Sequence, residues 1–339
     1  MQEILVTANE AGQRFDKLLA KYLNEAPKSF LYKMLRKKNI VLNGKKAAGN
    51  EKLEIGDRIQ LFLSDDTIEK FSKIQIKRTT QNLNFIYEDD NILMVNKPVG
   101  MLSQKAEDTD ESLVEHIITY LLQSGQITEE SLRKFRPSVC NRLDRNTSGI
   151  VVAGKSLAGL QEMGELFRTR SLKKFYRCLV FGEVRETQHI KGYLKKDEKT
   201  NKVTVFSSPK KNSLPIETEY TPLWSNADCT FLEVHLITGR THQIRAHLAS
   251  VDHPIIGDYK YGNRKINDRY QEKYGLKSQL LHAFRLELPE LSGTLHAVSQ
   301  KQFIAPLPEL FERILEGETH KNGNMEFERT SGVYFGGIH

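Results

Sequence analysis

With 339 residues the chain is long enough for two or three domains, and its 39% hydrophobic and 27% charged content excludes a disordered or collagen-like polymer. No apolar run approaches the roughly eighteen residues that a membrane helix needs. A net charge of +7 points to a polyanionic partner, nucleic acid first, and the three cysteines, in no metal-ligand spacing, argue against a disulfide framework. The opening MQEILVTANEAGQRFDKLL carries acidic residues where a signal peptide would be apolar, so a cytoplasmic protein is expected.

Residues 1 to 65 read as a small separate module. Gln2 to Thr7 alternates as a strand, and Phe15, Leu18, Leu19, Tyr22 and Leu23 recur at helical spacing. A second helix is expected over Lys28 to Lys37 with Ser29 as its N-cap. Asn39 to Leu42 reads as a strand, Asn43-Gly44 as a hairpin turn, and Arg58 to Leu63 as a closing strand. Lys33, Arg36 and Lys37 share one helical face, which suits either phosphate contact or a plain solvated face. Residues 66 to 82 are polar without apolar period and suit a linker.

From Leu83 the pattern changes to strand, turn, strand, ending in Asn96-Lys97-Pro98-Val99-Gly100. Helices are expected over Ser112 to Ser124, from the Thr128 N-cap, and over Leu157 to Ser171. Between them lies Asn141-Arg142-Leu143-Asp144-Arg145-Asn146-Thr147-Ser148-Gly149, then the apolar run Ile150 to Val152. Two arginines beside one aspartate should hold it ionised, either to fix a turn or to serve as a nucleophile at the edge of a buried strand. Arg168, Arg170, Lys173 and Lys174 follow, and suit either the helix dipole or a phosphate rim. Strands are expected over Lys174 to Val180, Lys202 to Phe206, Glu217 to Tyr220, Leu232 to Ile237 and Leu280 to Leu286, with a closing helix from Pro306 to Ile314. His242, His247 and His253 have no clustered acid or thiol partners, so they read as structural and no metal is expected. Residues 316 to 339 form a polar, Gly-rich tail that reads as disordered.

Several of these stretches resemble, in order, the motifs of the RluA-type pseudouridine synthases. Asn141 to Gly149 is similar to the signature H-R-L-D-x-x-T-S-G, with Asn141 in place of the commoner histidine. Lys97-Pro98 falls in the N-K-P-x-G loop, Tyr176 in K-x-Y, Arg240 to Arg245 in T-G-R-x-H-Q-I-R, and Asp258 to Gly262 in G-D-x-x-Y-G. The resemblance covers 83 to 315 and implies an α+β catalytic domain with a mixed, mainly antiparallel sheet flanked by helices. It implies isomerisation of uridine to pseudouridine in RNA without a cofactor. Asp144 would be the catalytic carboxylate, Arg240 its paired arginine and Tyr176 the active-site tyrosine. Asn141, Arg142, Arg145, Thr147, Lys97, Gln243 and Arg245 would line the substrate, and Asn141 would hold a structural or base-flipping role. Covalent attack on the sugar and abstraction of a sugar proton to give a glycal both stay open. Residues 1 to 65 resemble the RNA-binding domain first named for ribosomal protein S-four, with Lys28, Ser29, Lys33, Arg36, Lys37, Lys38, Asn43 and Lys45 facing RNA. That module implies large-subunit ribosomal RNA as partner, with transfer RNA second, and a monomer is expected. Two other functions fit the same residues: a non-catalytic RNA-binding assembly factor, and a hydrolase using Asp144 with a second carboxyl about 5 Å away.

Overall fold

The computed structural model describes residues 1–73, 78–79 and 82–319. The chain opens with β1 (Gln2–Leu5), α1 (Phe15–Tyr22), α2 (Lys28–Arg36), β2 (Ile40–Leu42), β3 (Arg58–Leu61) and α3 (Asp65–Phe71). The three strands form their own antiparallel sheet in the order β1-β3-β2. Its core joins Ile4, Phe15, Leu18, Leu19, Leu31, Leu35, Ile40 and Ile59. Each such side chain contributes about 1.5–3 kcal/mol on burial. Asn43 and Gly44 both have positive φ, 51° and 71°, as the two-residue hairpin turn requires.

Two expectations fail in this module. Ser29 is not an N-cap, because α2 starts one residue earlier and Pro27 occupies the cap position. The stretch from 66 is not plain linker. Ser64 caps α3 through the Thr67 N–H, and Ile68 buries itself in the module core. Two apolar residues, Ile68 and Phe71, in a charged heptapeptide leave too little periodicity to reveal that helix. The rest of the expected linker falls partly on residues 74–77 and 80–81, outside the described residues.

The second region begins with β4 (Asn84–Glu88), β5 (Ile92–Lys97), α4 (Leu113–Gln123), α5 (Glu129–Lys134), β6 (Ser138–Val139), β7 (Ser148–Gly154), α6 (Leu157–Thr169) and β8 (Lys173–Phe181). It continues with β9 (Gln188–Asp197), β10 (Lys202–Phe206), β11 (Leu214–Ser225), β12 (Cys229–Leu236), α7 (Gln243–Ala249) and α8 (Arg264–Tyr274). It ends with β13 (Leu281–Glu287), a 3-10 turn, β14 (Gln302–Ile304) and α9 (Glu309–Thr319). Eleven strands make one sheet in the order β10-β9-β11-β12-β8-β13-β7-β5-β4, with β14 on β13 and β6 on β7. Among the described residues only β13 and β7 pair in parallel within this sheet, which is mixed and mainly antiparallel, as expected.

Helices cover both faces. Leu113, Ile117 and Leu121 of α4 pack on Leu93, Val95 and Val151, and Ile244 and Leu248 of α7 pack on Cys178, Val180 and Val234. On the other face, Met163 of α6 packs on Met94 and Val152, while Phe311 and Ile314 of α9 pack with Leu179 and Phe231. Thr128 and Ser156 cap α5 and α6 through side-chain acceptors. The sequence reading missed β9 and α8. Helix α8 is charged nearly all round and buries only Asn267 and Tyr270, so its signals are its caps, Asn263 and the left-handed Gly275. The closing helix extends to Thr319, four residues into the expected tail, and the disorder expected for 320–339 lies outside the described residues. Among the described residues no helix is long and apolar enough to cross a membrane.

Candidate active site

Asp144 sits in the loop between β6 and β7, and the residues on either side of it are fastened to the loop after β5. Ser103 Oγ donates to the Leu143 carbonyl and accepts from the Leu143 N–H, both at 3.0 Å. The Gly100 N–H and Lys97 Nζ both donate to the Arg145 carbonyl, at 2.9 and 3.1 Å. Lys97 Nζ also reaches the carbonyls of Met101 (2.8 Å) and Pro98 (3.1 Å). Burial pulls this ammonium down to about 7, against the opposing pull of the Asp144 carboxylate. Lys97 was expected to line the substrate, but it is 0% exposed and its three protons have three carbonyl acceptors, so it is a clasp for the Asp144 loop. Gly149 begins the exit from that loop. Its φ is +111°, and a Cβ there would lie 2.2 Å from the Ala283 carbonyl oxygen, so the β7–β13 contact needs glycine.

The Asp144 carboxylate, 28% exposed, accepts from Arg245 Nη1 at 2.8 Å through Oδ2. The other two guanidinium nitrogens grip Asp258, at 2.7 and 2.9 Å. Asp258 is 1% exposed, and its Oδ1 also accepts the N–H groups of Lys260 and Tyr261. Burial works against charge on Arg245, but the Asp258 and Asp144 carboxylates outweigh it and hold its pKa above the ordinary value. His242 Nε2 lies 3.8 Å from the same Oδ2. Its Nδ1 is 2.8 Å from the Tyr261 hydroxyl, which accepts from the Val203 N–H at 3.0 Å. The Tyr261 hydroxyl thus ties the His242 ring to β10 while the other ring nitrogen faces Asp144. Burial, opposed by Asp144, holds His242 below its ordinary value and keeps it neutral. Oδ1 of Asp144 has no hydrogen-bond partner among the described residues, so one oxygen is fixed and the other is available.

Tyr176 lies on β8, opposite Ala283 of β13, which is itself opposite Gly149. Burial and the Asp144 carboxylate push its phenol above the ordinary range, so it stays protonated. A protonated, half-buried ring suits stacking or hydrogen-bond donation and disfavours a general-base role.

The main correction concerns the arginine. Arg240 was expected to pair with Asp144, and Arg245 does so instead. The chain leaves β12 at Leu236, turns through a left-handed His242 (φ 53°), and starts α7 only at Gln243. Helical side chains lean toward the N-terminus, which carries Arg245 back onto the Asp144 loop and leaves Arg240 outside the helix. The sequence-adjacent Arg142 and Arg145 are exposed and form no ion pair among the described residues, so they do not fix the carboxylate. Gln243 is saturated: its Oε1 accepts from Thr238 and the Arg240 N–H, and its Nε2 donates to Glu217 and Thr218. Thr147 is buried and accepts from Gln279. Neither is free to take substrate. Asn141 bonds both ways to β7, accepting from the Val152 N–H (2.8 Å) and donating to the Ile150 carbonyl (3.2 Å). Asp258, His242, Tyr261 and Ser103 were missed as site residues, although Asp258 and Tyr261 stand in the G-D-x-x-Y-G stretch.

In the first module Lys28, Ser29, Lys33, Arg36, Lys37, Lys38, Asn43 and Lys45 are all exposed. None of the six cations forms an ion pair among the described residues. Asn43 spends its amide within the protein, donating to Asp57 and accepting from the Arg58 N–H, which marks it as a turn former. His247 and His253 are bonded to Thr218 and the Phe181 carbonyl, and the described residues hold no group of three or more potential metal ligands.

The site thus presents one anchored carboxylate, a protonated tyrosine and, on the surface, cations without an ion pair among the described residues. A family profile described as RNA pseudouridylate synthase matches residues 91–250. The chain is 31% identical to Ribosomal large subunit pseudouridine synthase C of Vibrio parahaemolyticus, over 94% of this chain and 96% of that protein. It is 31% identical to the protein of the same name in Escherichia coli, over 92% of this chain and 95% of that one. The solved structure of Human RNA Pseudouridylate Synthase Domain Containing 4 matches with TM-score 0.54 and 25% identity, covering 69% of this chain and 92% of that one. The chain belongs to the RNA pseudouridine synthase family, the enzymes that isomerise uridine to pseudouridine within RNA.

Proposed function

We propose that this enzyme modifies uridines of large-subunit ribosomal RNA, with Asp144 as the catalytic carboxylate. The observation that carries the role of Asp144 is its geometry: Oδ2 is held by Arg245 while Oδ1 is open. In the reaction the N1–C1′ bond breaks, the uracil turns, a C5–C1′ bond forms, and the C5 proton leaves while N1 gains one. Nothing is consumed, so no cofactor is required. A uridine inside structured RNA must first leave its stack, at a cost of a few kcal/mol, and the protonated Tyr176 supplies a surface for the extruded base. Exposed Arg142 and Arg145 supply cations beside it.

The ribosomal assignment is supported by the names of the two bacterial relatives and by the cation-bearing first module. On this reading residues 1–65 dock RNA, 83–315 carry the chemistry, and the enzyme works as a cytoplasmic monomer. A hydrolase reading is disfavoured by Asp258. It shares Arg245 with Asp144, but both its oxygens are gripped by the guanidinium and it is buried, so it cannot serve as the protonated acid of a glycosidase.

The test uses large-subunit ribosomal RNA carrying tritium at uracil C5, isolated from cells lacking the protein. Wild type should release tritium to water, and Asp144→Asn should lose on the order of 10³-fold or more in rate with its fold intact. Release from transfer RNA alone would move the substrate. Free uracil would mean hydrolysis, and no release from any RNA would make the chain a binding protein.

A further inference from the structure

Arg240, released from the role expected of it, belongs to a group of charges that the catalytic arrangement does not use. Its Nε is buried without a hydrogen-bond partner among the described residues. Its main chain is fixed by the bond from its N–H to Gln243 Oε1, at 3.1 Å. Beside it stands Lys174. A Cβ built on Gly239 would lie 3.3 Å from Lys174 Nζ, so this ammonium rests against the residue preceding Arg240. The Lys174 ammonium has no hydrogen bond or ion pair among the described residues. Burial, reinforced by the nearby Arg170, pulls it down to about 8. Arg170 is the left-handed residue that ends α6 (φ 60°), exposed and equally without an ion pair.

Folded proteins pair their buried charges, and cations that repel one another in a partly desolvated place are unfavourable unless an anion arrives. The acids nearby are committed or remote. Glu287 pairs with Arg285, and Glu219 and Glu287 act electrostatically on His235, but neither pairs with Lys174. Lys174 also lines a small cleft with Asn141, Phe175 and Tyr176. Two residues along a strand place Lys174 about 6.5 Å from Tyr176 on the same side of the sheet. The connection that carries Arg240 continues into α7, which carries Arg245. Tyr176, which lines this cleft with Lys174, feels the Asp144 carboxylate, so Lys174 stands on the Tyr176 side of the site.

We propose that Arg240, Lys174 and Arg170 form a binding site for a phosphodiester of the RNA strand, adjacent to the nucleotide presented to Asp144. The assignment of the anion to RNA rests on the proposed function. The cluster itself does not.

The test measures binding of unmodified large-subunit ribosomal RNA to the full-length Asp144→Asn chain, in which turnover is expected to be too slow to consume the RNA, across a range of salt. Lys174→Gln and Arg240→Gln, each added to that chain, should weaken binding several-fold. Each should also lower the slope of log K against log salt by about 0.7–0.9, the signature of one lost phosphate contact. Arg240→Lys, which keeps the charge, should restore most of that slope. In the otherwise native chain both neutral substitutions should raise KM more than they lower kcat. Unchanged affinity and slope in both variants, with melting curves matching the parent, would overturn the site. So would a loss confined to kcat. Competition by inorganic phosphate at constant ionic strength, with the RNA slope unaltered, would give the pocket to a free anion and overturn the RNA assignment. Because binding needs no turnover, a failure to form pseudouridine would count against the proposed function and leave this result standing.

Discussion

The loop around Asp144 and the exposed face of α2 treat charge in opposite ways. Around Asp144 nearly every polar atom is committed: Arg245 serves two carboxylates, Lys97 serves three carbonyls, and Ser103 closes a two-way bond on Leu143. On α2, Lys33 and Arg36 project into solvent with no counter-charge among the described residues. On the proposed function the Asp144 carboxylate must be held to a fraction of an ångström, which committed partners provide. Contact with a phosphate backbone needs charge that is still unspent. Substitutions in the first region should therefore damage rate and stability together, and those in the second should damage affinity alone.

The largest effect is expected at Arg245. Arg245→Ala leaves Asp258 buried without its cation and Asp144 without its anchor. Breaking a buried pair in this way costs about 3–5 kcal/mol. The rate at saturating RNA should fall by about 10²–10⁴-fold as the carboxylate loses its orientation. Arg240→Ala should spare stability by comparison. Urea unfolding and tritium release on both variants separate the two arginines, and equal damage from the two would collapse the distinction drawn here.

Lys97→Met keeps the apolar stem and removes the three donors, which should cost about 1–3 kcal/mol and lower the rate by loosening the Asp144 loop. The pH dependence is the sharper readout. Lys97 titrates near 7 in the fold against its ordinary 10.5. Between those values the unfolded chain binds more protons at this site, so stability rises with pH across that window. The penalty of charging the buried amine is fully present below about pH 7. The gap between wild type and Lys97→Met should therefore widen from about pH 7 to about pH 10, and a constant gap would show that the ammonium is not desolvated.

The same contrast explains what the sequence disclosed. Sheet class, helices such as α4 and α6, and the place of Asp144 on a loop before a buried strand were legible because apolar period, caps and a dense motif lie within short stretches. The partner of Asp144 was not, because Arg240 and Arg245 are both in T-G-R-T-H-Q-I-R and only the delayed start of α7 decides which one turns back. Lys97 was expected to line the substrate, and nothing local showed that the Arg145 carbonyl, forty-eight residues on, would accept its hydrogen bond. Adjacency misled at Arg142 and Arg145, where neighbours in sequence point away from the aspartate between them. Helix α8 was lost because a helix that buries two residues has no stripe to read.

Asn141 tests whether the departure from the commoner histidine matters. Its two bonds extend the β7 ladder rather than reach toward Asp144, so the residue works on the scaffold. Asn141→His offers one donor and one acceptor of its own. It should retain turnover, with a stability change within about 1 kcal/mol. Asn141→Ala leaves the Val152 N–H and Ile150 carbonyl without these partners and should cost about 1–3 kcal/mol. Full loss of tritium release in a folded Asn141→His enzyme would place this position in the chemistry.

The mildest effect on chemistry is expected at the other pole of the comparison. Lys33→Gln, Arg36→Gln and Lys37→Gln on or beside α2 remove no bond within the protein, so stability should stay within about 0.5 kcal/mol. If the face contacts phosphates, each change should lower the salt slope of RNA binding by about 0.7–0.9, and the triple variant should lower it roughly threefold as much. Rate at saturating RNA should be untouched, because the bound nucleotide still meets the same fixed carboxylate. Unchanged slopes would make the stripe a solvated helix face, and discrimination among RNAs would then have to come from the catalytic cleft and its own unspent cations.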